Sequence, residues 1–337
     1  MNIRYEVLGE PGRDNAMLAT VNTGQSQHRL LFDCGEGCLE KVPRADIQVI
    51  EVLFFSHFHI DHVAGFDGFF RSNWYRTDDP VRIFGPDGTR KIIHHRMQGV
   101  SWNLVDSAPG EVHVTELSDH NLATSRYLAR EGFAQEHRMD EQSFDGVLYR
   151  GRDFSVEARA MHHGIPSMAY LVRESDRSNI DMEVLASEGY APGPWLKQLK
   201  DSSAPAETEI EVAGASRTLG ELRERLLVHQ PGDSIAYLTD FCLESQQRED
   251  ELVEFLDGCK VLICENNFRD SDAELARKSY HMTSTDVGRL AARVQPEKLV
   301  LFHVSDRYTE QEWNEQLAEV QLQFERAEFP AHWLELN

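Results

Sequence analysis

Four side chains within six residues carry most of the chemistry this sequence could perform: His57, His59, Asp61 and His62, in the order His-Phe-His-Ile-Asp-His. The apolar run Val52 to Phe55 ahead of them reads as a buried strand that ends at Ser56. Past a strand end, residues two apart point the same way. His57 and His59 can therefore aim their imidazoles at one point. Asp61 continues that alternation. His62 turns away where Val63 to Tyr75 begins a helical pattern, with Phe66, Phe69, Phe70 and Trp74 apolar. Four ligand-type groups divided between two neighbouring points suit a pair of metal ions. Imidazole and carboxylate donors favour zinc and also accept manganese or iron. The plain alternative is a histidine-rich loop on a solvated surface, and this ordered spacing makes it the weaker reading.

One loop cannot fill two coordination shells. Three later positions set a polar ligand directly after an apolar strand. Ala158 to Met161 leads into His162-His163, Ile235 to Thr239 into Asp240, and Leu299 to Phe302 into His303. In layered α/β folds such strand ends are where sites gather. Asp33, after Leu30-Leu-Phe32, has two readings: a brace for the histidine loop, or a plain turn aspartate.

The elements that must hold these groups are mostly short strands. Alternation and apolar runs predict strands near 2–8, 16–21, 28–33, 51–56, 81–85, 111–117, 146–150, 154–161, 168–172, 234–238, 261–264 and 298–302. Helical periodicity covers 88–98, 284–294 and 310–325. Residues 118–143 are polar and predict a partly helical surface insertion. The stretch 174–233, with Pro192-Gly-Pro194 and a Ser/Ala/Pro/Glu-rich piece at 202–209, predicts an arm or lid. A strand-rich start followed by alternating strands and helices predicts an α/β fold of two face-to-face sheets with helices outside. The whole chain, 1–337, is expected to form a single domain carrying these two insertions.

Composition narrows the function classes. The net charge of −23 opposes broad, non-specific nucleic-acid binding, because a polyphosphate is repelled at long range. No apolar run approaches the roughly 18 residues of a membrane span, and Met-Asn-Ile-Arg-Tyr-Glu carries no signal-peptide core. Five cysteines, an odd number with no Cys-x-x-Cys pair, predict reduced thiols and a cytoplasmic setting.

In order, His57-Phe-His59-Ile-Asp61-His62, His163, Asp240 and His303 resemble the metallo-β-lactamase superfamily. Within it the chain resembles the ribonuclease Z family, endonucleases that trim the 3′ end of precursor tRNA. The resemblance covers nearly the whole sequence. Phe32-Asp33-Cys34-Gly35-Glu36, Phe84-Gly85-Pro86-Asp87-Gly88 and His163-Gly-Ile-Pro-Ser-Met-Ala-Tyr170 are similar to family segments. So are Glu265-Asn-Asn-Phe268, His281-Met-Thr283 and His303-Val-Ser-Asp-Arg-Tyr308.

The resemblance implies a four-layer αββα sandwich of two mixed sheets, with two zinc ions per chain. It implies hydrolysis of a phosphodiester by a metal-activated hydroxide. One metal would take His57, His59 and His163, the other Asp61, His62 and His303, with Asp240 bridging. Sequence alone does not firmly separate His162 from His163. By the same resemblance Asp61 orients or deprotonates the attacking water, His281 protonates the leaving oxygen, and Glu265 holds the His281 ring. Arg307 has two readings, a phosphate contact and a structural salt bridge. Precursor tRNA is the first substrate expected. A small phosphodiester or another ester is the alternative, because Gly189 to Lys200 resembles only the end of the family's tRNA-gripping arm. Relatives of this kind are often homodimers. Ile60 stands where the family usually carries a small residue.

Overall fold

Ser234–Leu238 and Val261–Glu265 are buried at every position, so the sheet that holds them must be covered on both faces. The computed structural model describes residues 2–24, 26–201 and 203–333. They form two units: 1–174 with 233–337, and 175–232.

The first unit opens with β1 (Ile3–Leu8), β2 (Ala16–Asn22), β3 (Gln27–Phe32), β4 (Ile50–Phe54) and β5 (Val81–Pro86). β6 (Glu111–Ser118), β7 (Asn121–Leu128), β8 (His137–Arg138) and β9 (Gln142–Ser143) follow. These strands make one sheet in sequence order from β1 to β8, with β9 also paired to β7. β3 to β6 run parallel and the flanking pairs antiparallel. The second sheet begins with β10 (Val147–Gly151), β11 (Phe154–His162) and β12 (Pro166–Glu174). The chain then leaves for the second unit, where β13 (Arg177–Ile180), β14 (Glu209–Val212), β15 (Ala215–Thr218) and β16 (Leu227–Gln230) lie. It returns as β17 (Ser234–Leu238), β18 (Val261–Glu265), β19 (Lys298–Phe302) and β20 (Ala327–Glu328). The second sheet has the order β10-β11-β12-β17-β18-β19-β20, parallel from β17 onward.

The two sheets meet through aromatic rings. Phe32 lies 5.5 Å from Tyr170 and 5.8 Å from Tyr237, and Phe54 lies 5.4 Å from Tyr170, centroid to centroid. The other face of the first sheet carries Leu53, Phe55 and Ile83 against Phe66, Phe69, Phe70, Ile93 and Met97 of the helices Phe66–Asn73 and Thr89–Met97. Val287, Leu290, Ala291 and Val320, from the helices Ser284–Val294 and Glu310–Gln321, join the core of the second sheet. The expected layering of helix, sheet, sheet, helix is therefore present. Both sheets turn the carboxyl ends of their parallel strands to the site, the edge where ligands bind in such folds.

Two local predictions change. Residues 121–128 are a full strand, not part of a helical surface segment. β7 pairs with β6 at eight positions through the two-residue turn Asp119-His120, and buries Leu122, Tyr127 and Leu128. Its polar residues are those of a strand near a sheet edge, which read as insertion by composition alone. The helix after the histidine loop is split into Ile60–Val63 and Phe66–Asn73. The break falls at Gly65, where a Cβ would meet the Gly35 carbonyl at 2.3 Å. Cys34 N donates to His62 O and Gly65 N to Cys34 O, both at 2.9 Å. The turn after β3 is thus laced to the loop that carries the histidines.

The second unit has its own small core: Leu185, Leu199, Val212, Leu219, Leu222 and Leu226. Its helix Leu219–Leu226 starts in a capping box between Thr218 and Glu221. Among the described residues no helix is long and apolar enough to cross a membrane, and the five cysteines are free.

Candidate metal centre

The ends of β3, β4, β11, β17 and β19 deliver the predicted groups to one cleft. His57 Nε2 lies 3.1 Å from His59 Nδ1, and His163 Nε2 lies 3.2 Å from the same nitrogen. Asp240 Oδ1 faces this trio at 3.6 Å from His163 Nε2 and 3.9 Å from His57 Nε2. The other Asp240 oxygen faces a second group. Asp240 Oδ2 is 3.1 Å from His62 Nε2 and 3.5 Å from His303 Nε2. Asp61 Oδ2 closes that group at 3.4 Å from His62 Nε2 and 3.5 Å from His303 Nε2. The seven residues named from the sequence converge: His57, His59, His163 and Asp240 form one cluster and Asp61, His62 and His303 another, and Asp240 and His303 also cluster with His281.

His162 does not join them. Its Nε2 pairs with Glu244 at 3.1 Å, half out in solvent. β11 ends at His162, and His163, one residue past it, turns into the cleft while His162 stays at the surface.

Comparisons with known proteins show which family the chain belongs to. Residues 28–138 match the Beta-lactamase superfamily domain. Ribonuclease Z of Deinococcus radiodurans is 39% identical over 328 residues, covering 97% of this chain and 98% of that one. The chain belongs to the ribonuclease Z family. Ribonuclease Z of Methanocaldococcus jannaschii is 26% identical and covers 84% of this chain and 78% of its own. Among solved structures, the short form of human tRNase Z matches with a TM-score of 0.53 at 18% identity, covering 91% of this chain and 94% of that one. A metallo-β-lactamase-fold protein from Bacillus subtilis matches at 0.55 and 15% identity, covering 97% and 95%. At those identities the solved structures speak for the fold. This member of the family is a metal-dependent hydrolase.

The donor atoms fit a metal. A tetrahedron of ligands at roughly 2.0–2.2 Å has edges of roughly 3.3–3.6 Å, and the separations above run from 3.1 to 3.9 Å. His62 Nε2 is buried and makes no hydrogen bond among the described residues, although Asp240 Oδ2 is only 3.1 Å away. A buried ring nitrogen close to an oxygen but out of line with it is placed for a cation between them.

The surrounding contacts fix the rings. Asp33 Oδ2 accepts from His62 Nδ1 at 2.8 Å, from the Ser56 hydroxyl at 2.7 Å and from the Tyr237 hydroxyl at 3.0 Å. Ser56 N donates to Asp33 Oδ1 at 2.7 Å. Asp33 is thus the brace, not a plain turn residue. The Ser56 hydroxyl, its proton given to Asp33, accepts from His57 Nδ1 at 3.0 Å. His163 Nδ1 donates to Tyr280 O at 3.0 Å. Such contacts set the tautomer and leave the other nitrogen free. Asn267 lies with its amide 2.9 Å from His303 Nδ1. Ser56, Tyr237 and Asn267 were not singled out as site residues by sequence. Asn267 lies in the Glu265–Phe268 motif, Ser56 at the predicted strand end and Tyr237 in the apolar run before Asp240, but nothing in the spacing marks any of the three as a site residue.

Electrostatics follow from this crowding. Burial, with the His62 charge, pushes His57 down to about 2, which leaves a neutral ring with an available lone pair. Burial pushes the Asp240 carboxyl up, but His303 and His62 outweigh it and hold it well below the usual range. Asp61 is likewise pushed up by burial and brought down further by His303 and His62.

His281 also enters the cleft. Its Nδ1 is 2.6 Å from Glu265 Oε2, and its Nε2 is 3.7 Å from Asp240 Oδ1. Burial lowers its pKa, yet the Glu265 carboxylate carries it up to about 9. Glu265 is fully buried and accepts from Phe241 N at 2.7 Å. Among the described residues Arg307 makes no salt bridge. Its guanidinium sits 5.1 Å over the Phe268 ring.

Proposed function

We propose that the chain is a dinuclear, zinc-dependent phosphodiesterase that cuts precursor tRNA at its 3′ end. The observation that carries the dinuclear reading is the division of Asp240: one oxygen toward His57 and His163, the other toward His62 and His303. His57, His59 and His163 would hold one cation, and Asp61, His62 and His303 the other, with Asp240 shared. When bound, the pair supplies Lewis-acid stabilisation of the phosphoryl oxygens and a more acidic water.

The side chains divide the remaining work. The Asp61 carboxylate is 39% exposed against 3% for Asp240, so it can accept a hydrogen bond from water entering the cleft and orient it. His281 presents Nε2 to the cleft and can give its proton to the departing ribose oxygen. Glu265 holds the opposite ring nitrogen and keeps the imidazole protonated.

The tRNA substrate is supported by the relative named Ribonuclease Z that matches nearly end to end. Residues 175–232 serve in this reading as the RNA-holding arm, an insertion into one metallo-β-lactamase domain. One observation favours a second reading, in which the substrate is a small phosphodiester. The arm carries six lysines and arginines against ten aspartates and glutamates. Arg223 spends its guanidinium on the carbonyls of Leu199, Asp201 and Ala204, and Arg225 pairs with Glu188 at 2.6 Å. Binding RNA by charge needs more than that.

Elemental analysis beside two assays tests both readings. The zinc-loaded protein should carry two equivalents and release the trailer from precursor tRNA. Turnover of a chromogenic diester with no cut in precursor tRNA transfers the assignment to the second reading. One equivalent or fewer removes the dinuclear site.

A further inference from the structure

Tyr280 precedes His281 and takes a left-handed backbone, φ 60°. For a bulky side chain that conformation is rare and costly, and it persists where the surroundings impose it. The Tyr280 carbonyl accepts from His163 Nδ1 at 3.0 Å. Its ring stands edge-on to His162, with centroids 4.9 Å apart at 77°. A Cβ at Gly164 would come within 2.9 Å of the same ring. The His162 ring is itself held by Glu244. Tyr280 is therefore gripped on one side, yet it remains 38% exposed. Two more large apolar side chains stand out beside the metal-binding candidates. Ile60, between His59 and Asp61, is 69% exposed, and Ile165, two residues after His163, is 37% exposed.

Single exposed apolar residues are ordinary. Three of them within two residues of His59, Asp61, His163 or His281, one held in a costly backbone, call for a ligand with an apolar face. A nucleic acid brings phosphates, which need cations, and bases, which offer π faces. None of the three rim residues is cationic, and the chain as a whole is at −23. The rim therefore suits the base. We propose that Tyr280 is the platform on which a nucleobase next to the scissile phosphate stacks. This rests on the phosphodiesterase reading above and names a nucleotide as what that site takes. Stacking tolerates any base, so retention on this chain would depend less on charge than a low-cation arm suggests.

The test uses the zinc-loaded protein and an oligoribonucleotide with a phosphonate in place of the scissile ester. 2-Aminopurine is set in turn on either side of that linkage. Wild type should quench its fluorescence at one of the two positions, Tyr280→Phe should keep the quenching, and Tyr280→Asn should lose it. Asparagine takes the left-handed backbone readily, so the His163 contact is kept while the ring is lost. With cleavable RNA, an abasic residue at that position should raise the wild-type KM about 5- to 150-fold and should add nothing in Tyr280→Asn. Equal quenching in wild type and Tyr280→Asn overturns the platform, and so does an equal loss by that variant on normal and abasic RNA. A wild type that cleaves no phosphodiester refutes the phosphodiesterase reading. Cleavage that is indifferent to Tyr280 refutes the platform alone.

Discussion

Asp33, Asp240 and His303 each follow a strand end and each takes a left-handed backbone, with φ of 58°, 52° and 51°. Non-glycine residues in that region cost on the order of 1–3 kcal/mol each and cluster where a site needs them. Asp33 returns the cost as three acceptor contacts on one oxygen. Replacing Asp33 by Asn would turn an NH2 group toward donors and release the His62 ring. We expect Asp33→Asn to weaken metal binding by about 10–100-fold, read by chelator competition, with the fold retained by circular dichroism. Unchanged affinity would remove Asp33 from the bracing role. His281 makes a separate prediction. His281→Ala should lower kcat by about 10²–10⁴ for a ribose leaving group and little for a nitrophenolate, which leaves without a proton. Equal losses on both substrates would show that His281 acts through the fold and not as a proton donor.

At the scale of elements, the site depends on how closely two turns approach. Gly35 and Gly65 lie at the crossing: a Cβ on Gly35 would meet Asp61 O at 2.4 Å, and one on Gly65 would meet Gly35 O at 2.3 Å. Both contacts are to backbone, which cannot swing aside. Gly65→Ala should therefore destabilise by about 1–3 kcal/mol, the range of overpacking in a tight core, and should also weaken metal binding because His62 moves with the turn. Urea unfolding with a parallel metal titration checks both, and wild-type values in either would contradict this account.

Across the whole molecule, the two units keep separate cores. The second is inserted between Glu174 and Asp233, where Glu174 N donates to Asp233 O at 2.9 Å. The insertion therefore begins and ends at adjacent backbone, the arrangement that tolerates excision. Replacing 175–232 by a short glycine linker should leave metal content and turnover of a small diester near wild type, while cleavage of precursor tRNA falls by at least about tenfold. If precursor tRNA is cut as before, the insertion is not the arm.

The sequence determined the local half of the site. The spacing His57-x-His59-x-Asp61-His62 directs neighbouring side chains by strand and helix period alone, and apolar runs mark the strands that end at His163, Asp240 and His303. Those are short-range consequences of backbone geometry, so they are legible without a fold. The layered α/β class follows from the same runs. What the tertiary structure decided depends on residues far apart in the chain. The end of β11 at His162 left His163 to turn into the cleft and His162 at the surface. The packing of β3 beside β4 brought Asp33 under Ser56 and His62. The meeting of the two sheets set Tyr237 against Asp33, and the hairpin at Asp119-His120 made a strand of a polar segment. Arg307 settled over Phe268 for the same reason. A contact between distant residues is fixed by which strands pair and which faces pack, and no local pattern encodes it.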